Sequence, residues 1–508
     1  MLRRLLSVSG FTLLSRITGF VRDMLLAWIL GHGLLSDAFF VAFLFPNNFR
    51  AIFGEGTLNP AFLPRYAALH ARGETAAAAK FANEVFSWQM AAQLLLLGLA
   101  LLFMPQIISV IAPGFRDDPA QFEQTVSLAR ITFPYLMLTL VAVQLSAMLN
   151  AIDRFWAGAA WSNLLNLSMI ATLVAWHWFP DAAYAAAWGV LLGGVAQLVF
   201  ILWAGRREGL WLTMEMPRWT PEIRDFFIAF GAVTIGAAGV VIAPLIDTII
   251  ASLLPTGSRT VLYYADRVNQ LPLGVLGIAL GTVLLPVMSA HLARGDASAS
   301  SAAQNRAAAL SLLLTLPFVF AFIAIPDTIM RAIFAHGAFD ASAAALTGAV
   351  LSAYAVGLPA MALVRIVAST FYARHDTLTP VRATLGAMAA NIALKVLFVW
   401  GLGWGVPGIA LGTALGAWIN VGVLTWIGRR RALLAIETPL LKALLPALLA
   451  ALACGVGAWL GAHLGAAWWP GRYADVAGLA LALLLGAVAY GTAVLTFRTC
   501  LPLGRLAQ

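Results

Sequence analysis

The segment GRREGLWLTMEMPRWTPEIRD, residues 205–225, decides how the chain is read. It is a polar linker in a sequence that is apolar almost from end to end. On its N-terminal side, stretches of membrane-spanning length fall at 5–30, 36–65, 80–110, 126–150, 156–178 and 182–204. On its C-terminal side they fall at 226–254, 260–290, 304–325, 343–372, 380–400 and 405–428. Two more, 438–463 and 474–497, follow the triplet Arg429, Arg430 and Arg431. A bilayer core needs about 20 apolar residues per helix. The pattern therefore predicts an all-α polytopic membrane protein of about 14 transmembrane helices, six on each side of the linker and two left over. The expected domains are an N-lobe at 1–205, an interfacial linker at 206–225, a C-lobe at 226–431, and a region 432–508 with helices 13 and 14 and the tail. Trp211 and Trp219 sit among the linker's charges, as in a segment lying along a membrane face.

Composition excludes the main alternatives. Of 508 residues, 61% are hydrophobic and 10% charged, where a soluble domain is roughly half apolar and a quarter charged. A soluble multidomain enzyme and a single-anchor protein are both ruled out. Cys454 lies in an apolar stretch and Cys500 in the tail, which supports neither a disulfide framework nor a metal cluster. The seven histidines show no ligand spacing, and no Walker loop or nucleophile elbow is present. No catalytic residue, metal or cofactor is expected. The opening MLRRLLSVSGFTLLSRITGF starts like a signal peptide, but Arg16 interrupts the apolar run and no small-residue cleavage site follows. It reads as a retained first helix.

The cations set the orientation. About twenty fall on one side, among them Arg65, Arg72, Arg154, Arg206, Arg294, Arg374 and Arg429; only Arg116, Arg259, Arg331 and Arg472 fall on the other. The positive-inside rule then places both termini in the cytoplasm. It also explains the sequence pI near 10.0 better than nucleic-acid binding does. An internal repeat supports the division at the linker. Leu63-Pro64 is followed by Arg72-Gly73-Glu74, and Leu285-Pro286 at the same distance by Arg294-Gly295-Asp296. DAFFVAF (37–43) resembles LYYADR (262–267), and LNAIDRF (149–155) resembles FYARHDT (371–377). Chance similarity of apolar sequence is the alternative; the matched punctuation favours two parallel six-helix lobes.

Seven cations remain inside spans: Arg16, Arg22, Arg50, Arg130, Arg267, Arg365 and Lys395. Seven facing lipid would cost on the order of 20 kcal/mol, so they face a wet cavity or an ion-pair partner. Arg130 is near a span end and can snorkel. Arg16, Arg22 and Arg50 in the first two spans, with Arg267 in the second lobe, would suit an anionic substrate such as a phosphate, because arginine keeps its charge and offers a fork of donors. Pairing with Asp23, Asp37, Glu55 and Asp266 is the alternative. Pro46, Gly54 and Gly56 are expected to break the second span, as in transporter helices that line a cavity. Glu55 and Arg365 fall at similar depth and are candidates for a gate pair. Asp247 and Lys395 are candidates for a buried ion pair, with Asp247 as a coupling-ion ligand the other option. Gly277 and Gly281 read as helix packing, and Trp176, Trp178, Trp468 and Trp469 as interface belts.

The chain resembles the lipid II flippase (MurJ/MviN) family of the multidrug/oligosaccharidyl-lipid/polysaccharide exporter superfamily. The residues that carry the resemblance are SRITGFVRD (15–23), DAFFVAFLFPNNFRAIFGEG (37–56), FLP (62–64), YYADRVNQLPLGVLGIALGT (263–282) and FYARHDTLTP (371–380). The resemblance implies alternating-access transport of undecaprenyl-pyrophosphate-linked peptidoglycan precursor from the cytoplasmic to the periplasmic leaflet of the bacterial inner membrane. It implies that Arg16, Arg22, Arg50 and Arg267 bind the head group, and that Asp37, Asn47 and Glu55 hold motif positions. It also implies that helices 13 and 14 hold the lipid tail. Lys395 stands where some members carry a carboxylate of a sodium site, which favours membrane potential or protons as the energy source. Implied partners are the lipid-linked precursor, membrane lipids and other cell-wall synthesis proteins. A flippase for O-antigen or capsule precursors shares the pyrophosphate-lipid logic. A multidrug exporter would carry acidic cavities and usually twelve spans, and a membrane glycosyltransferase would need a cluster of acids near one face, which the sequence lacks.

Overall fold

A computed structural model describes residues 2–50, 58–281, 284–471, 473–498 and 501. The described residues are helical with connecting turns and contain no β-strand. They divide into two compact units, Met1–Thr260 and Val261–Gln508.

The first unit contains α1 (Leu2–Leu30), α2 (Leu34–Phe49), α3 (Asn59–Ala71), α4 (Thr75–Leu102), α5 (Met104–Ile111), α6 (Pro119–Thr132), α7 (Pro134–Ala151), α8 (Phe155–Ala160), α9 (Ser162–Val174), α10 (Ala182–Arg207) and α11 (Pro221–Ser252). The boundary falls just inside α12 (Ser258–Gly281). The second unit continues with α13 (Leu284–Ala293), α14 (Ala297–Ala324), α15 (Pro326–Phe334), α16 (Ala341–Ala355), α17 (Leu358–Tyr372), α18 (Leu378–Val396), α19 (Gly405–Arg430), α20 (Thr438–Trp468) and α21 (Ala474–Thr496). Helix α11, the first span after the linker, packs against α3, α4 and α5 of the first unit.

Ten helical segments among the described residues are long and apolar enough to cross a membrane, and Leu34–Phe49, Ile242–Ser252 and Leu284–Ala293 are shorter apolar helices. Large apolar side chains lie on the exterior of these helices: Leu95, Leu102 and Leu483 are 65%, 68% and 67% exposed. In water such a surface would drive association; in lipid it is the solvated face.

The repeat read in the sequence returns as geometry. Helix α4 and helix α14 have the same length, 28 residues, and start 222 positions apart. Gly73 and Gly295 both have φ of 75° and end the preceding helices. In both turns the next amide reaches back five residues, Glu74 N–H to Leu69 O and Asp296 N–H to His291 O. Asp153 and His375 likewise have φ of 63° and 61°, each followed by a five-residue back-bond, Arg154 to Leu149 and Asp376 to Phe371. These are glycine-type C-caps, in which one residue in the left-handed region reverses the chain and satisfies the last carbonyls of the helix.

Close packing of the helical hairpins rests on glycine triplets and pairs. On α19, Gly408, Gly412 and Gly416 lie against Phe398, Lys395 and Asn391 at the end of the preceding helix. On α10, Gly189 and Gly193 lie against Met169 and Leu165 of α9. On α20, Gly457, Gly461 and Gly465 lie against the backbone of α21, where a Cβ on Gly461 would stand 2.5 Å from Ala482 N. Small residues spaced by four let membrane helices approach through their backbones.

The proline in the second span does not break it. Helix α2 runs through Pro46 to Phe49, so the expected break at that residue is corrected. Proline lacks the N–H that would bond to the carbonyl of Ala42. The buried hydroxyl of Thr132 on α6 donates to Ala42 O at 3.0 Å instead, which keeps the carbonyl satisfied. Gly54 and Gly56 lie outside the described residues.

Candidate functional site

Helix α1 is continuous, so Arg16 and Arg22 stay about 120° apart around its axis. Gly19 does not interrupt it; a Cβ there would meet the Asn166 side chain at 3.4 Å, and the glycine admits α9 at close range. Arg16 is exposed and Arg22 is buried. Arg22 Nε and Nη2 donate to Asp23 Oδ1 at 3.1 and 2.7 Å, and Nη1 donates to Asn166 Oδ1 at 2.9 Å. Asn166 in turn donates to Ser15 O and Thr18 Oγ1. One asparagine on α9 thus fixes two turns of α1 and the guanidinium between them.

Asp37 is 2% exposed. Its Oδ2 accepts from Gly257 N–H at 2.7 Å, and its Oδ1 accepts from Thr260 N–H at 2.8 Å and from the Thr260 hydroxyl at 2.6 Å. The carboxylate therefore caps the first turn of α12, where free amides and the helix dipole favour a negative charge. Gly257, with φ of 96°, packs on the His32 ring, and Gly114 lies so close to Ser252 that a Cβ would stand 1.9 Å from its carbonyl oxygen. The connection from α11 to α12 is thereby pressed onto α2 and the turn after α5.

Arg50 is the C-cap residue of α2, half-buried, and its Nη2 donates to Asn47 Oδ1 at 3.4 Å. These two members of the P-N-x-x-R motif share one helical turn. In the second unit, Arg267 Nη2 donates to the Tyr263 hydroxyl at 2.9 Å, and its guanidinium carbon lies 4.9 Å from that ring's centre, a cation–π contact. Arg365 is exposed on α17, and Glu55 lies outside the described residues. Asp247 is half-buried on α11 of the first unit. Lys395 is 1% exposed on α18 of the second, its stem against Gly412. Among the described residues no group of three or more His, Cys, Asp or Glu could hold a metal ion.

Sequence reasoning missed four contributors. Asn166 and Asn163, the latter donating to Phe11 O of α1 at 3.4 Å, are polar residues spaced by three in an apolar span, a signal that was available. Gly257 acts through its backbone amide, which carries no residue-type signal, and Thr260 through both its amide and its hydroxyl. The linker is also more than a connector. Thr213 N–H donates to Asn83 Oδ1 at 3.0 Å, Glu215 N–H to Ser87 Oγ at 2.9 Å, and Trp88 Nε1 to Arg218 O at 3.1 Å. Residues 210–220 form a strap along α4.

A family model described as lipid II flippase MurJ matches residues 26–491. A probable lipid II flippase MurJ of Rhizobium tropici is 37% identical over 459 residues, covering 87% of this chain and 86% of that protein. One from Rhizobium meliloti (strain 1021) is 37% identical over 438 residues, 84% of this chain and 81% of that protein. Among solved structures, a lipid II flippase MurJ in an inward closed conformation is similar in fold, with a TM-score of 0.80 at 23% identity over 97% of this chain and 99% of that one. An inward-facing MATE-family multidrug transporter has a TM-score of 0.67 at 15% identity, covering 82% and 95%. A match across this much of a multi-pass helical chain establishes that it belongs to the lipid II flippase MurJ family, a family of transporters and not of enzymes.

Proposed function

We propose that the chain moves lipid-linked peptidoglycan precursor across the inner membrane by alternating access, with both termini in the cytoplasm and an arginine-lined cavity receiving the anionic head group. The observation that carries the reading is the family match over residues 26–491, in a chain with Arg16 and Arg22 on α1, Arg50 at the end of α2 and Arg267 on α12. A pyrophosphate is matched by guanidinium forks, whose charge persists at any physiological pH. Arg50 and Arg267 are both half-buried, and each meets a polar neighbour one turn away, Asn47 or Tyr263, that orients its guanidinium. Arg22, with Asp23 against it, is suited to positioning α1 on α9.

The Asp37 cap supports an alternating mechanism. It fastens the α11–α12 connection by three hydrogen bonds that can be made or released together. Glu55 with Arg365 as a gate, Asp247 with Lys395 as a buried pair, and α20–α21 as the seat of the lipid tail complete the proposal. Lys395 argues for membrane potential or protons over sodium, since a nearby ammonium repels a bound cation.

The test is complementation in a bacterium depleted of its own flippase, with Arg16, Arg22, Arg50 and Arg267 each changed to alanine. Wild-type chain restores precursor export and growth. Arg50→Ala and Arg267→Ala are expected to abolish rescue while the proteins still reach the membrane. Failure of the wild type would overturn the substrate, and rescue by all four variants would overturn the arginine site.

A further inference from the structure

The second unit contains a cavity of about 610 Å³ between α14, α17, α19, α20 and the turn at 431–437. Its walls are largely apolar, with Leu363 and Leu444 among them, and no carboxylate lines it. Its rim is basic. Arg429 and Arg430, in the last turn of α19, both line it, and neither forms an ion pair among the described residues. Arg430 stacks on the Trp426 ring with its guanidinium carbon 4.2 Å from the centre. Interfacial tryptophan beside arginine marks the depth at which lipid head groups sit.

A second, independent feature lies deeper. Gln304 is 4% exposed and lines the cavity, and its Oε1 is buried with no hydrogen-bond partner. Its neighbour Asn305 is fully used, donating to Ala435 O at 2.8 Å and accepting from Glu437 N–H at 3.1 Å, so it holds the turn against α14. The Gln304 oxygen is an acceptor only. Left unmet in an apolar wall, it keeps the desolvation penalty of a buried acceptor uncompensated.

An occupant must therefore present an anion to the arginines, a hydrogen-bond donor to Gln304 Oε1, and hydrocarbon to the walls. We propose that this cavity binds an anionic glycerophospholipid whose head group carries a hydroxyl, of the phosphatidylglycerol kind. The phosphate sits between Arg429 and Arg430, the head-group hydroxyl donates to Gln304, and an acyl chain follows Leu363 and Leu444. The volume lies within the range of about 300–1,000 Å³ usual for ligand sites, and basic pockets between membrane helices are suited to anionic head groups.

The full-length protein in detergent is titrated with phosphatidylglycerol, phosphatidic acid and phosphatidylcholine of identical acyl chains, with retention read by native mass spectrometry and stability by thermal melting. Phosphatidylglycerol is expected to be retained most tightly and to raise the melting temperature. Phosphatidic acid, which keeps the anion but lacks the hydroxyl, is weaker, and phosphatidylcholine weaker still. R429Q/R430Q changes two exposed side chains, so its lipid-free melting temperature stays at the wild-type value while phosphatidylglycerol retention falls roughly tenfold or more. Q304L removes the preference for phosphatidylglycerol over phosphatidic acid; if that variant does not fold, the wild-type comparison of the two lipids tests the same hydroxyl. Equal retention of phosphatidylglycerol and phosphatidylcholine, equal retention of phosphatidylglycerol and phosphatidic acid by the wild type, or undiminished binding by R429Q/R430Q overturns the proposal.

Discussion

The Arg22–Asp23–Asn166 cluster concentrates two opposite charges and an amide in one buried spot. Removing one member of a buried pair strands the other, at a cost of about 3–5 kcal/mol, whereas neutralising both costs far less. Arg22→Gln alone is expected to destabilise by that amount, and Arg22→Gln with Asp23→Asn to recover most of it. Thermal melts of the four proteins in a double-mutant cycle measure the coupling, and additive losses would show that the two charges do not stabilise each other. Asp376, in the turn between α17 and α18, poses a pH question. The Thr379 N–H and hydroxyl, with Arg431 at 3.0 Å, hold its carboxyl below the ordinary value of 3.8. A carboxyl depressed in the folded state stabilises it fully well above that ordinary value and loses the contribution as pH falls through the depressed one. Asp376→Asn should therefore weaken amide-exchange protection of this turn at pH 7, and the difference from wild type should shrink steadily below about pH 4. Arginines were legible in the sequence because charge in an apolar run is conspicuous. Their partners were less so: Asp23 is adjacent, but Asn166 comes from 144 residues away, a distance that only packing reveals.

Helices are held in hairpins by glycine, and here the sequence was underread. GxxxG at 277 and 281 drew notice, yet the longer series at 408, 412 and 416 and at 457, 461 and 465 carries the packing of α18–α19 and α20–α21. Gly461→Ala pushes a methyl group into the backbone of α21 and is expected to destabilise by about 1–3 kcal/mol or more. Gly491→Ala on α21 meets nothing within 4 Å and should be neutral or slightly stabilising, since alanine is the better helix former. Thermal melting of both variants checks this, and equal behaviour would remove the packing argument. Helix positions were readable from hydropathy because lipid demands long apolar runs. Pro46 misled because the rule about proline concerns an isolated helix, and a hydroxyl on α6 supplied the missing bond.

Across the whole molecule, the same turn occurs at positions 222 residues apart, with Gly73 and Gly295 sharing a φ of 75°. A Cβ at either meets no neighbouring atom, so substitution there is felt through the backbone alone. Gly73→Ala and Gly295→Ala should each cost about 1–2 kcal/mol, and by nearly equal amounts. Unequal losses in chemical or thermal unfolding would show that the two turns are alike in shape but not in strain. The linker was legible because it interrupts the hydropathy; the use made of it was not. The strap at 210–220 is bonded at Thr213, Glu215 and Arg218 to Asn83, Ser87 and Trp88 in the third and fourth turns of α4, and Thr220 then caps α11. A chain of eleven residues could reach roughly 35 Å if unattached, enough to let its ends wander. Stitched every two or three residues, it has no slack to give. A displacement of α11 relative to α4 has to break these bonds, so the linker works as a tether that keeps the start of α11 beside α4.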